Sequence, residues 1–164
     1  MKIWQRIFNP RIVLLLLIVG FIFLYLQIKD GKYSNQDYQT YNQYQLMTQG
    51  DCDLVEAGCQ SYGDDINVLL TFQSSPSALK PFVATLVIES PKDMQSSDVK
   101  LSFEMQGMDM GEQSFKLDFA QSTGRWEGEV ILPICTSGRS DWLVISEITQ
   151  GDSIYTSNHS FRLN

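Results

Sequence analysis

From Asp65 onward the chain is written in short alternating runs. "INVLLTFQ", "FVATLVIES", "VKLSFEM", "SFKLDF", "WEGEVILPI", "WLVISEIT" and "IYTSNHSFRL" are separated by connectors such as "SSPSALKP", "PKDMQSSD", "STGR", "TSGRSD" and "QGD". The alternation is cleanest in the third run. Val99, Leu101, Phe103 and Met105 share one face, and Lys100, Ser102, Glu104 and Gln106 share the other, because successive side chains of a strand point to opposite sides. One face is therefore buried and the other wet. Seven one-sided strands with no helical period between them predict an all-β domain, an immunoglobulin-like antiparallel β-sandwich of about seven strands. A small barrel is the alternative architecture.

The amino-terminal region follows another pattern. Residues 12–28 are apolar except for Gly20 and Gln27, about the minimum length that crosses a bilayer as a helix. Asn9 suits an N-cap and Pro10 a first helical position, where a missing N–H costs nothing. A cleaved signal peptide is the competing reading, but "LQIKDGKYSNQ" offers no small-x-small cleavage pattern. The expectation is an uncleaved, single-pass transmembrane helix over 12–28. Residues 29–50, rich in Gln, Asn and Tyr, read as a polar linker to a domain over 51–164. Tyr38, Tyr41 and Tyr44 recur every three residues and leave open a short helical extension.

Charge orients this plan. Lys2, Arg6 and Arg11 precede the apolar run with no acid, whereas nine basic and nineteen acidic residues follow from Lys29, a net of minus ten. Positive charge favours the cytoplasmic side. Residues 1–11 are thus expected in the cytoplasm, and the acidic domain outside it, in the periplasm of a bacterium with the anchor in its inner membrane. A domain of that charge is not expected to bind nucleic acid.

Outside the cytoplasm thiols tend to oxidise. Cys52 and Cys59, in "CDLVEAGC", are expected to form a local disulfide, leaving Cys135 buried or free. A bridge from either one to Cys135, or a reduced pair acting as copper or redox ligands, stays open at this point.

The richest candidate chemistry lies in "FEMQGMDMGEQ", which puts Met105, Met108 and Met110 beside Gly107 and Gly111. Thioethers are soft ligands that suit copper(I) and are not consumed by disulfide formation. If the strand continues past Met105 without interruption, Met108 and Met110 fall on the wet face, where they are well placed to bind metal. A bulge at Gly107 would return them to the core as packing material. A third soft donor would be needed, with Cys135 or His159 as candidates. His159 is the only histidine. With no HExxH, GxSxG or glycine-rich phosphate loop, the usual parts of hydrolytic and nucleotide chemistry are missing, and no enzymatic activity is expected.

"GRWEGEV" and "GRSDW" each set Gly-Arg before a tryptophan. Two readings compete: tight turns followed by aromatics that close the sandwich, or a partner surface made of Arg125, Trp126, Arg139 and Trp142.

"MDMG", together with "GRWEGEVILPICTSGRSDW", resembles the YtkA-like and FixH-like group of small membrane-anchored bacterial proteins, over about Val68 to Asn164. That resemblance implies an immunoglobulin-like domain behind one membrane helix. It further implies an association with copper delivery or with assembly of haem-copper oxidases, and nominates Met108, Met110 and Cys135 as the residues to watch. The expected function is a non-enzymatic periplasmic accessory protein that works with a membrane-protein partner, assisting copper handling or assembly of a respiratory complex. The alternative is a purely structural interaction module with no metal.

Overall fold

A computed structural model describes residues 13–22, 41–105 and 107–163, with the side chains of 109, 110 and 112 set aside. The chain divides into two units, Met1–Gln39 and Thr40–Asn164. In the first, residues 13–22 are helical and exposed all round, including Leu14, Leu17 and Phe21. Among the described residues no helix is long and apolar enough to cross a membrane. The anchor expected over 12–28 lies partly outside the described residues, as do residues 1–11 and 29–40.

The second unit is all-β. Its strands are β1 (Asn42–Gln45), β2 (Met47–Thr48), β3 (Cys59–Gly63), β4 (Ile66–Phe72), β5 (Phe82–Glu89), β6 (Asp98–Met105), β7 (Met108–Ala120), β8 (Arg125–Val130), β9 (Asp141–Gln150) and β10 (Ser153–Arg162). They form one hydrogen-bonded order, β1-β10-β9-β6-β7-β8-β5-β4-β3-β2. The seven expected runs are β4 to β10. Three further strands extend the sheet, so that it is a ten-stranded, nearly closed barrel rather than a seven-stranded sandwich.

Two corners bring about the near closure. β7 pairs with β6 as far as Leu117 and then with β8 from Asp118 to Ala120. β1 and β2, the two ends of the order, are consecutive in the chain: β1 runs parallel to β10, β2 antiparallel to β3, and the N–H of Leu46 between them donates to Thr156 O at 2.8 Å. Full pairing of edges is the usual way a β-protein avoids exposed ladder groups. The segment expected as linker therefore belongs to the domain from residue 41 on. Leu46 is a core residue, and the ring of Tyr44 stacks on Tyr155 with centroids 5.1 Å apart.

Inward positions carry the core. Ile66, Val68, Leu70 and Phe72 of β4, Val99, Leu101, Phe103 and Met105 of β6, and Trp142, Val144 and Ile148 of β9 are all buried. An aromatic cluster fills one region, with Phe72 4.9 Å from Phe82 and 5.3 Å from Phe161 in edge-to-face geometry. Such pairs add about 0.5–1.5 kcal/mol each beyond their burial. The buried serines are paired. Ser146 of β9 and Ser157 of β10 share a hydrogen bond of 2.6 Å.

Candidate functional site

Two sulfur centres stand out, and they use different donors. The first forms around the β6–β7 hairpin. The chain does not continue past Met105 as an uninterrupted strand; it reverses, with Gly107 at φ +77° in the turn, a conformation that favours glycine. Met105 then lies opposite Met108, and the register shifts between Phe103 and Met105. Residues directly opposite in a ladder share a face. Met108 thus joins the side of buried Met105 and is partly buried against the core, so neither the wet-face phase nor a simple bulge describes it. The side chain of Met110 lies outside the described residues.

The partner of Met108 arrives from the loop after β8. Leu132 is held there by Leu79, whose N–H donates to its carbonyl at 2.9 Å, and a turn closes through Gly138 N–H to Cys135 O at 3.0 Å. Cys135 is a buried free cysteine. Its thiol donates to Met108 Sδ at 3.5 Å and hydrogen-bonds with Ser137 Oγ at 2.9 Å. The Ser137 hydroxyl holds the Cys135 thiol below its ordinary pKa; backbone hydrogen bonds at Ser137 and Arg139 and the Arg139 charge act the same way, while burial opposes them. A thiol eased toward thiolate beside a thioether is a soft pair of donors.

The second centre lies where β3 meets β10. Cys52 and Cys59 form the expected disulfide, with Cα atoms 5.2 Å apart. Asp53 shapes the connecting loop, its carboxylate accepting from Val55 N–H at 2.7 Å. His159 does not approach the methionines: it occupies an inward position of β10 and contacts the disulfide. Its Nδ1 lies 3.6 Å from Cys52 Sγ, and its Nε2 is 2.9 Å from Ser61 Oγ. Burial pushes the pKa of His159 down. Ser61 and His159 are a hydrogen-bonded pair but not a catalytic one. Ser61 is fully buried, and Nδ1 faces a sulfur rather than the carboxylate that a nucleophilic triad would place there.

The tryptophans expected on a partner surface are in the core, Trp126 at 3% and Trp142 at 2% exposure. Trp126 packs against Phe119 at 4.7 Å. The turn-and-closure reading of these segments therefore holds for both rings. Arg125 remains exposed, and Arg139 forms an ion pair with Asp141. Ser61 and Ser137 are the residues the sequence reading missed. Each stands two positions after a cysteine, which for Ser61 means the same strand face as Cys59.

No protein-family model, curated protein or solved structure matches this chain.

Proposed function

We propose that the chain is a non-enzymatic accessory protein, anchored in the bacterial inner membrane with its β-domain in the periplasm, that handles copper(I) for a respiratory membrane complex. The observation that carries the reading is the 3.5 Å approach of Cys135 Sγ to Met108 Sδ. These are the residues nominated by the resemblance to the YtkA-like and FixH-like group, where β4 to β10 would supply the immunoglobulin-like framework and β1 to β3 its closure. Two soft donors from segments 27 residues apart make a copper(I) seat, and Met110 is the third donor that the reading requires. The all-round apolar surface of helix 13–22 and the charge asymmetry of the chain support the anchor and its orientation. A reporter active only in the cytoplasm, fused after Asn164, should be silent.

The copper test uses ascorbate, which supplies copper(I) while leaving the disulfide closed. The protein should hold one copper(I) against a competing chelator, and Met108→Leu, Met110→Leu and Cys135→Ser should each weaken it at least tenfold. A second reading, a metal-free interaction module, is favoured by the packing of Met108 against the core. It becomes the better account if the wild-type protein binds no copper(I) and Met108→Ser unfolds the domain.

A further inference from the structure

We propose that reduction of the Cys52–Cys59 disulfide converts the centre beside β10 into a binding site for one zinc(II) ion, held by both thiolates and by Nδ1 of His159. The proposal goes beyond the copper reading and uses none of its residues.

Geometry is the first support. One sulfur from each cysteine and one ring nitrogen of His159 all lie within 4.8 Å of one another. With zinc–sulfur and zinc–nitrogen bonds of about 2.3 and 2.1 Å, two ligands on a tetrahedral ion stand about 3.6 Å apart. His159 Nδ1 already stands 3.6 Å from Cys52 Sγ. The sulfurs need only part from bonding distance, a local adjustment within a loop of sequence separation seven.

The histidine is also oriented as a ligand would be. Ser61 Oγ engages Nε2, which fixes the ring and leaves Nδ1 to face the sulfurs. A metal-bound imidazole is commonly held this way, through a hydrogen bond from its other nitrogen. The site is not sealed. Cys52 is partly exposed, and a cavity lined by Thr48, Gln49, Asp51, Asn158 and Ser160 opens beside it, room for an ion to enter and for water as fourth ligand.

Donor chemistry separates this centre from the other. Two thiolates and an imidazole form the mixed sulfur–nitrogen set that zinc takes, whereas a thiol with thioethers is a purely soft set. The redox step needs a two-electron reductant, and a dithiol supplies it. Its two thiols are oxidised to a disulfide while the Cys52–Cys59 bond takes up two electrons and two protons, giving two thiols. Zinc then displaces those two protons as the thiolates bind.

The full-length protein carrying Cys135→Ser, so that Cys52 and Cys59 are its only thiols, tests this with cobalt(II) as a spectroscopic stand-in. After reduction with a phosphine, one equivalent of cobalt(II) should give thiolate charge-transfer and tetrahedral ligand-field bands, and one equivalent of zinc(II) should abolish them. The oxidised protein should show neither. His159→Gln should weaken zinc at least tenfold and alter the ligand-field bands, and the Cys52→Ser, Cys59→Ser double variant should lose them. If the reduced protein loses its fold, recovery of native tryptophan fluorescence on adding zinc supports the site. The proposal is overturned if the reduced protein binds no cobalt(II), if zinc fails to restore a lost fold, or if His159→Gln binds as tightly as the parent. None of these outcomes bears on copper(I) binding by the oxidised protein.

Discussion

Ser61 Oγ lies 2.9 Å from His159 Nε2, joining β3 to β10 across 98 residues of chain in a buried hydrogen bond. Removing the hydroxyl leaves a buried ring nitrogen without its partner, and an unsatisfied buried group costs about 1–3 kcal/mol. Ser61→Ala should therefore lower the unfolding free energy by that amount, read as a lower urea midpoint with the slope unchanged. A loss below about 0.5 kcal/mol would show that water replaces the hydroxyl.

The same histidine gives stability a pH dependence. Burial holds its pKa below the ordinary 6.5. As pH falls past 6.5, the unfolded chain takes up a proton that the folded protein still refuses, so stability present above that value is lost progressively until the folded pKa is passed. Urea titrations of the oxidised protein between pH 7.5 and 5 should show this decline, and His159→Gln should flatten it. Equal slopes in the two proteins would place the titration elsewhere.

These two centres were legible to different degrees. β4 to β10 could be read because large apolar residues recur at every second position, as in Val99, Leu101, Phe103 and Met105. β1 to β3 could not. Their inward positions include Cys59 and Ser61, small or polar residues whose burial is satisfied by the disulfide and by His159 rather than by apolar packing. Leu46 is the single aliphatic core residue in "YNQYQLMTQ", too little to mark a strand.

The local disulfide was readable from seven-residue spacing. Met108 and Cys135 were both nominated by the resemblance, but their approach depends on the loop after β8 meeting the β6–β7 hairpin, and the wet-face phase of Met108 gave way to the chain reversal at Gly107. The meeting of Cys52 and His159, 107 residues apart, depends on the barrel's closure through β1 and β2. No local pattern carries that information. For Trp126 and Trp142, composition suits a core and an interface equally, and only the inward register of β8 and β9 decides.

The disulfide should also contribute to stability. Closing a loop of sequence separation seven restricts the unfolded chain by about 2.5 kcal/mol on the chain-entropy account. The Cys52→Ser, Cys59→Ser double variant should lose about that much in denaturant titration without metal. Peptide mapping of the non-reduced protein should find these two cysteines joined and Cys135 alone. A bridge to Cys135 would overturn the pairing.

Gly58, immediately before Cys59, sits where a side chain meets both strain and crowding. Its φ is +76°, and a Cβ built there would stand 2.5 Å from Thr71 Cγ2, 2.8 Å from Leu69 Cδ1 and 3.0 Å from Leu70 O. The last of these is backbone of β4 and cannot turn aside. Gly107 has nearly the same conformation, φ +77°, with nothing within 4 Å of its would-be Cβ. The two positions thus separate conformational strain from packing. Left-handed backbone in a non-glycine residue costs about 1–2 kcal/mol, and that is the loss expected for Gly107→Ala. Gly58→Ala should cost a further 1–3 kcal/mol or so from overpacking, and it should displace Cys59 from its place beside His159. Thermal or urea unfolding of the two variants reads the difference directly. Equal losses would mean that Thr71 and β4 give way without cost, and that the wall behind the disulfide is softer than its packing indicates.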